Sequence, residues 1–165
     1  MTTAAARLTI DVAADMTPDA PLTGPIRGNL NNGSKGQVWT DGNASGQVDQ
    51  IYRATHTIGA AATVNFDTLA AGALLDIAGD TVNLDELKYL LVKCVSGAIE
   101  VLAPGANFIG IFKAAADTFI LAAGQSLAVD LGAAGLDVTT NSKFDITDTA
   151  GGAGSSVDVA FGGAA

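Results

Sequence analysis

The residues that could do chemistry are few, and their spacing limits what they can do. His56 is the single histidine and Cys94 the single cysteine. One of each cannot build a zinc site of ordinary composition, which draws several such ligands together. His56 has no partner ligand near it in the chain and reads as a hydrogen-bonded structural residue. Cys94 lies inside an apolar run, where a buried, inert thiol is the expected state rather than a nucleophile. A lone cysteine also allows no disulfide within the chain. The carboxylate pairs Asp76/Asp80 and Asp145/Asp148 supply too few oxygen ligands at fixed steps for a calcium loop. Asp145 is expected on a strand's outer face and Asp148 in the turn beyond it. Two carboxylates alone could serve a glycosidase, but nothing else here builds a sugar cleft. NNGSKG superficially looks like a phosphate loop, yet it lacks both the spacing and the following helix. Asn43-Ala44-Ser45 fits a glycosylation sequon by chance. The expectation is no enzyme, no cofactor and no metal.

The elements that would have to position any site are strands. The chain has 165 residues, which suggests one domain with an added arm, and its core needs no covalent staples. Apolar residues make up 48%, but aromatics only 5%, so the core must be built largely from small and aliphatic side chains. Only Glu86 and Glu100 among the acids are Glu; the rest are Asp. Asp favours turns where Glu favours helices, so strands joined by many turns are expected. The net charge of −9 argues against nucleic acid or an anionic membrane as a direct partner. The opening MTTAAAR carries no apolar signal core, and no stretch approaches a membrane-spanning run, so synthesis in a cytoplasm is expected.

The densest apolar run is Leu87–Leu102, LKYLLVKCVSGAIEVL. As a strand it puts Leu87, Tyr89, Leu91 and Val95 on one face and Leu90, Val92 and Cys94 on the other. A strand apolar on both faces belongs mid-sheet, with Leu91 and Val92 both buried. Ser96-Gly97 then offers a two-residue turn, and Ala98–Leu102 returns as a second strand. The competing reading is a surface helix, with Leu84, Leu87, Leu91 and Val95 near helical spacing and Asn83 as its cap. The clustered β-branched residues favour the strand.

Ahead of this run, Leu8, Ile10 and Val12 alternate as a half-buried strand. Ala14 to Gly46 is rich in Pro, Gly, Asn and Ser, which reads as an extended arm rather than part of a compact domain. Trp39, the one tryptophan, lies there; it either caps the core or anchors a neighbouring subunit. From Gln47 onward the alternation resumes: Val48, Tyr52, Ala54, His56 and Ile58 on one face, then Val64 and Phe66. Phe108–Phe112 (FIGIF) and Thr118–Ala122 (TFILA) read as short strands. Leu127, Val129 and Leu131 point inward, as do Phe144 with Ile146, and Val157, Val159 with Phe161. Gly162–Ala165 trails off. About eight to ten short strands at turn spacing make a β-sandwich or barrel.

Four stretches carry a resemblance: GQVDQIYRATHTIGAAATVNFDTL, LDELKYLLVKCVSGAIEVL, AAGQSLAVDL, and KFDITDTAGGAGSSVDVAFGG. In order and spacing they resemble small virion structural proteins of tailed bacteriophages, over roughly residues 46–163. The resemblance lies in apolar strands and glycines, and it brings no catalytic residues. It implies a jelly-roll sandwich. The fold expected is therefore all-β: an antiparallel jelly-roll body over residues 47–165, with an extended N-terminal arm over residues 1–46.

It also implies a capsid decoration or cement protein on the exterior of the phage head. Its partners would be the major capsid protein and its own copies, as a dimer or trimer, with neither nucleic acid nor membrane. The residues expected to touch capsid or a neighbouring subunit are Leu8, Ile10, Val12, Ile26, Leu30 and Trp39. The first three would add an edge strand to a neighbour. The alternative within the same fold is a fibre or spike head binding a host receptor or glycan, with Trp39 as the stacking residue. A host β-sandwich binding module is also compatible with the composition.

Overall fold

A computed structural model describes residues 6–7, 15–16, 26–27, 38–76 and 79–165. In the N-terminal part these form β1 (Ala6–Arg7), β2 (Asp15–Met16), β3 (Ile26–Arg27) and β4 (Val38–Asp41). The body follows with β5 (Gln47–Val48), β6 (Gln50–Ile58), β7 (Thr63–Asp67), β8 (Glu86–Ser96), β9 (Ala98–Leu102), β10 (Thr118–Ala122), β11 (Ser126–Asp130), β12 (Leu136–Asp137), β13 (Lys143–Asp148) and β14 (Ser155–Ala164).

The body is an antiparallel sandwich. One sheet has the order β10-β9-β13-β7 and the other β11-β8-β14-β6, with β12 pairing β8 beyond β11. The pairs β6/β14, β7/β13, β8/β11 and β9/β10 nest one inside the next. They are divided between the two sheets, which is the jelly-roll topology. Alternation along each strand explains why it forms. Ile99, Val101, Phe144, Ile146 and Phe66 of the first sheet face Leu90, Val92, Val157, Val159 and Phe161 of the second, all within one buried cluster. Outward positions of the first sheet carry polar pairs: Thr63 with Thr147 (2.7 Å) and Asn65 with Asp145 (2.8 Å).

The central run is a strand, but it departs from simple alternation. Opposite β14, Tyr89 pairs Gly162 and Leu87 pairs Gly163, leaving Lys88 unpaired in a bulge; Val95 is skipped in the same way. A bulge inserts a residue and resets which face the next one takes. Leu87 therefore joins Leu90, Val92 and Cys94 in the core instead of sharing the Tyr89 face. Leu91 is only half-buried and Val95 is 45% exposed, so the expectation that Leu91 is buried fails.

Ser96-Gly97 does not make a hairpin. β8 and β9 lie in different sheets, and the chain crosses from one to the other at Gly97. Gly97 has φ +83°, a left-handed conformation suited to glycine. A Cβ there would also collide with the Ser155 hydroxyl.

Three further expectations are corrected. FIGIF is not a strand: Phe112 N–H bonds back to Ile109 C=O (3.2 Å), and Ile109 and Phe112 are buried in a turn. Its pairing is limited to a single parallel bridge between Phe108 and Lys143. Val48 does not share the Tyr52 face. The ladder breaks at Asp49, and Val48 packs with Tyr89 and Ile51 on the outer side of the second sheet. Gly162–Ala164 does not trail off but completes β14, buried throughout. A Cβ on Gly163 would strike the Glu86 carbonyl, and one on Gly162 would sit 2.7 Å from the Tyr89 ring. Tyr89 lies over that glycine, and burial pushes its hydroxyl up to about 12.

Candidate functional site

Three places in the body gather polar side chains. The first is where the sheets exchange strands. Asp148 closes β13 and Ser155 opens β14, and the loop between them turns back through glycines of positive φ at 151, 152 and 154. Both side chains are buried. Asp148 is thus the last residue of its strand, not a member of the turn. Its carboxylate accepts the Ala61 N–H (3.0 Å) and the Ser155 hydroxyl. Ser155 Oγ in turn accepts the Ala98 N–H (3.1 Å). The Ser155 hydroxyl, followed by the Ala61 N–H, holds the Asp148 carboxyl below the usual carboxylate range. Burial pushes the Cys94 thiol up, and the Asp148 charge adds to this. Ser155 faces a carboxylate and has no imidazole to take its proton, so this arrangement ties strands together instead of activating a nucleophile.

The second is His56. Its Nε2 lies 2.8 Å from the Tyr52 hydroxyl, and its ring meets Phe66 edge-on at 5.1 Å. Burial lowers the imidazole's pKa and raises that of Tyr52. The hydrogen bond expected of His56 is thus present, made to Tyr52.

The third is Lys88. Its fully buried side chain reaches Glu86, the Ala133 carbonyl (3.0 Å) and the Ala134 carbonyl (2.8 Å). Burying an ammonium is costly unless it is paired and hydrogen-bonded, and here the bulge aims it at three acceptors. A Cβ on Gly135 would press on the lysine stem at 2.8 Å.

Asp76 and Asp80 belong to one turn: Asp76 Oδ1 accepts the Asp80 N–H (2.9 Å). Among the described residues, no group of three His, Cys, Asp or Glu side chains is placed to hold a metal ion.

Of the expected contact residues, Leu8, Ile10, Val12 and Leu30 lie outside the described residues, and so does the strand expected through Leu8, Ile10 and Val12. Ile26 is in β3, opposite Met16 of β2. Trp39 is in β4, opposite Ala6 of β1, in a stretch expected to lack regular structure. Their strands belong to different sheets. β4 also pairs in parallel with β5, next to the Val48–Tyr89 cluster.

The surface feature that sequence reading missed is an exposed apolar set: Ile120 (73%), Leu75 (58%), Val95 (45%) and Phe119 (38%). Two of the four are neighbours on β10. TFILA is a strand as its composition indicates, but an uncharged apolar strand reads as buried, and nothing in its own residues signals that it is an exposed edge.

No protein family and no curated protein matches the chain. Among solved structures, one described as "Bacillus endospore appendages form a novel family of disulfide-linked pili" is 16% identical. The match covers 75% of this chain and 97% of that one at a TM-score of 0.31, an overlap from which no functional statement follows.

Proposed function

We propose that this chain is a virion structural protein, a decoration or cement protein that binds the outer surface of a phage capsid and is not an enzyme. The observation that carries the reading is how the body spends its polar side chains. Asp148, Ser155, His56 and Lys88 are committed to internal bonds, while large apolar side chains are left on the outside. That is the economy of a scaffold that docks. The sequence resemblance over the body supplies the kind of assembly.

In this reading the jelly-roll body sits on the capsid lattice and residues 1–46 act as a tether to the major capsid protein or a neighbouring copy. Many symmetric copies, each with a modest contact, reinforce a shell together. Leu8, Ile10 and Val12 would add a strand to a neighbour, and Trp39 would anchor the tether's base.

Deleting residues 1–30 tests this. The truncated protein should stay folded and soluble yet fail to co-sediment with capsids. Binding as strong as that of the full chain would remove the tether from the proposal. Immunolabelling of particles tests the location. Label over the head supports decoration; label at tail tips or fibre ends would replace it with the receptor-binding reading.

A further inference from the structure

Among the described residues, the edges of the sandwich are β10 and β7 in one sheet, and β6 and β11, with the short β12 following it along β8, in the other. Unpaired edges invite pairing, and proteins usually blunt them with charge. β6 carries Arg53, β7 carries Asp67 and β11 carries Asp130. β10, TFILA, carries no charge. It also holds Ile120, the most exposed large apolar side chain among the described residues, beside the part-exposed Phe119.

Among the described residues its backbone is open in a defined way. Asp117 C=O accepts the Ala103 N–H and Ala123 N–H donates to Gly97 C=O, both toward β9. Alternate residues of an antiparallel strand point the same way, so the N–H and C=O of Thr118 and Ile120 face away from β9. Ala122 faces the same way but is already engaged. Its N–H donates to Gln125 Oε1 (2.8 Å) and its C=O accepts the Gln125 N–H (3.0 Å).

We propose that β10 is the edge through which two copies of this chain pair, antiparallel, about a two-fold axis at Phe119. In that register Thr118 of each copy lies opposite Ile120 of the other. The pair exchanges both backbone bonds and leaves Ala122 and Gln125 undisturbed. Phe119 meets its own copy at the axis, at a non-hydrogen-bonded position where side chains approach closest. The occupant is a second copy because the edge complements itself. Thr lies against Ile and Phe against Phe, with no charge inside the ladder, in a chain whose net charge of −9 penalises other self-contacts. A two-fold contact closes on itself, whereas β10 laid on another copy's β11 would leave each unit with a free end to extend. This inference does not depend on the capsid reading and concerns the free protein.

Sedimentation equilibrium of the full chain should give a dimer. Ile120→Lys should give a folded monomer, since that side chain lies mostly in solvent within the single chain, and its melting temperature should lose the concentration dependence that a dimer confers. Phe119→Cys should crosslink to its own copy on oxidation, because facing α-carbons at such a position lie about 4.5 Å apart, within disulfide range. Ile120→Cys, displaced from the axis, should crosslink poorly. A monomeric wild type, a trimer, open-ended filaments, or an Ile120→Lys protein of unchanged mass would each overturn the proposal. So would a dimer lost on deleting residues 1–30 but kept in Ile120→Lys.

Discussion

Lys88 decides more than its own environment. Because it occupies a bulge, Leu87 joins Leu90 and Val92 in the core, while Leu91, on the opposite face by plain alternation, is only half-buried. Leu90→Ala should therefore cost about 2–5 kcal/mol in unfolding free energy, as for other buried leucines, and Leu91→Ala well below that. Denaturant titration of the two variants measures the contrast; equal losses would mean that Leu91 is as deeply buried as Leu90. Val92→Asp should fail to fold, because its carboxylate would be buried unpaired. His56 makes a second prediction at this scale. Burial lowers its pKa in the folded state, so the unfolded chain accepts a proton more readily. Its contribution to stability is then full above about pH 6.5 and lost as pH falls through the folded value. Thermal melts between pH 7 and pH 5 should show a decline that His56→Gln flattens. A decline of the same size in the variant would assign it to other groups.

At the scale of elements, the strands were legible because alternation is local, and the inward residues of β11, β13 and β14 fall where their spacing puts them. What was not legible is partnership. Ser96-Gly97 has the composition of a hairpin turn, but the positive φ of glycine serves a sheet crossing equally well. The choice rests on Ser155 and Asp148, more than fifty residues away in sequence. The bulge at Lys88 was hidden for the same reason, since its cause is the pair of carbonyls at Ala133 and Ala134. The polar knot escaped notice because Asp148 and Ser155 look ordinary until the loop between them closes.

That knot can be tested directly. Ser155→Ala leaves the part-buried Ala98 N–H without its partner and the buried Asp148 carboxylate without one of its donors, and a loss of about 1–3 kcal/mol is expected. Asp148 also has its carboxyl held low in the folded state. It therefore contributes stability above the ordinary carboxylate range that is lost as pH falls through the lowered value. Removing the Ser155 hydroxyl should shift acid unfolding to higher pH. An unchanged acid midpoint in Ser155→Ala would show that the hydroxyl does not hold the carboxylate.

For the whole molecule, the balance of charge sets how docking can work. The chain has 17 acidic and 8 basic side chains. Of the basic ones, Lys88 is buried among its acceptors and Lys143 lies 3.7 Å from Asp67. Among the described side chains, a dense cationic patch is therefore not what the surface offers a partner. Apolar residues and strand edges are, and contacts of those kinds do not weaken as salt screens charge. The screening length falls from about 30 Å at 0.01 M to about 8 Å at 0.15 M, so any long-range attraction between this acidic chain and a basic shell would fade across that interval. On the capsid reading, occupancy of particles should hold steady over the same interval, measured by co-sedimentation at fixed protein concentration. Stripping from particles as salt rises would mean that opposite charge carries the attachment. The apolar surface would then be left to contacts between copies alone.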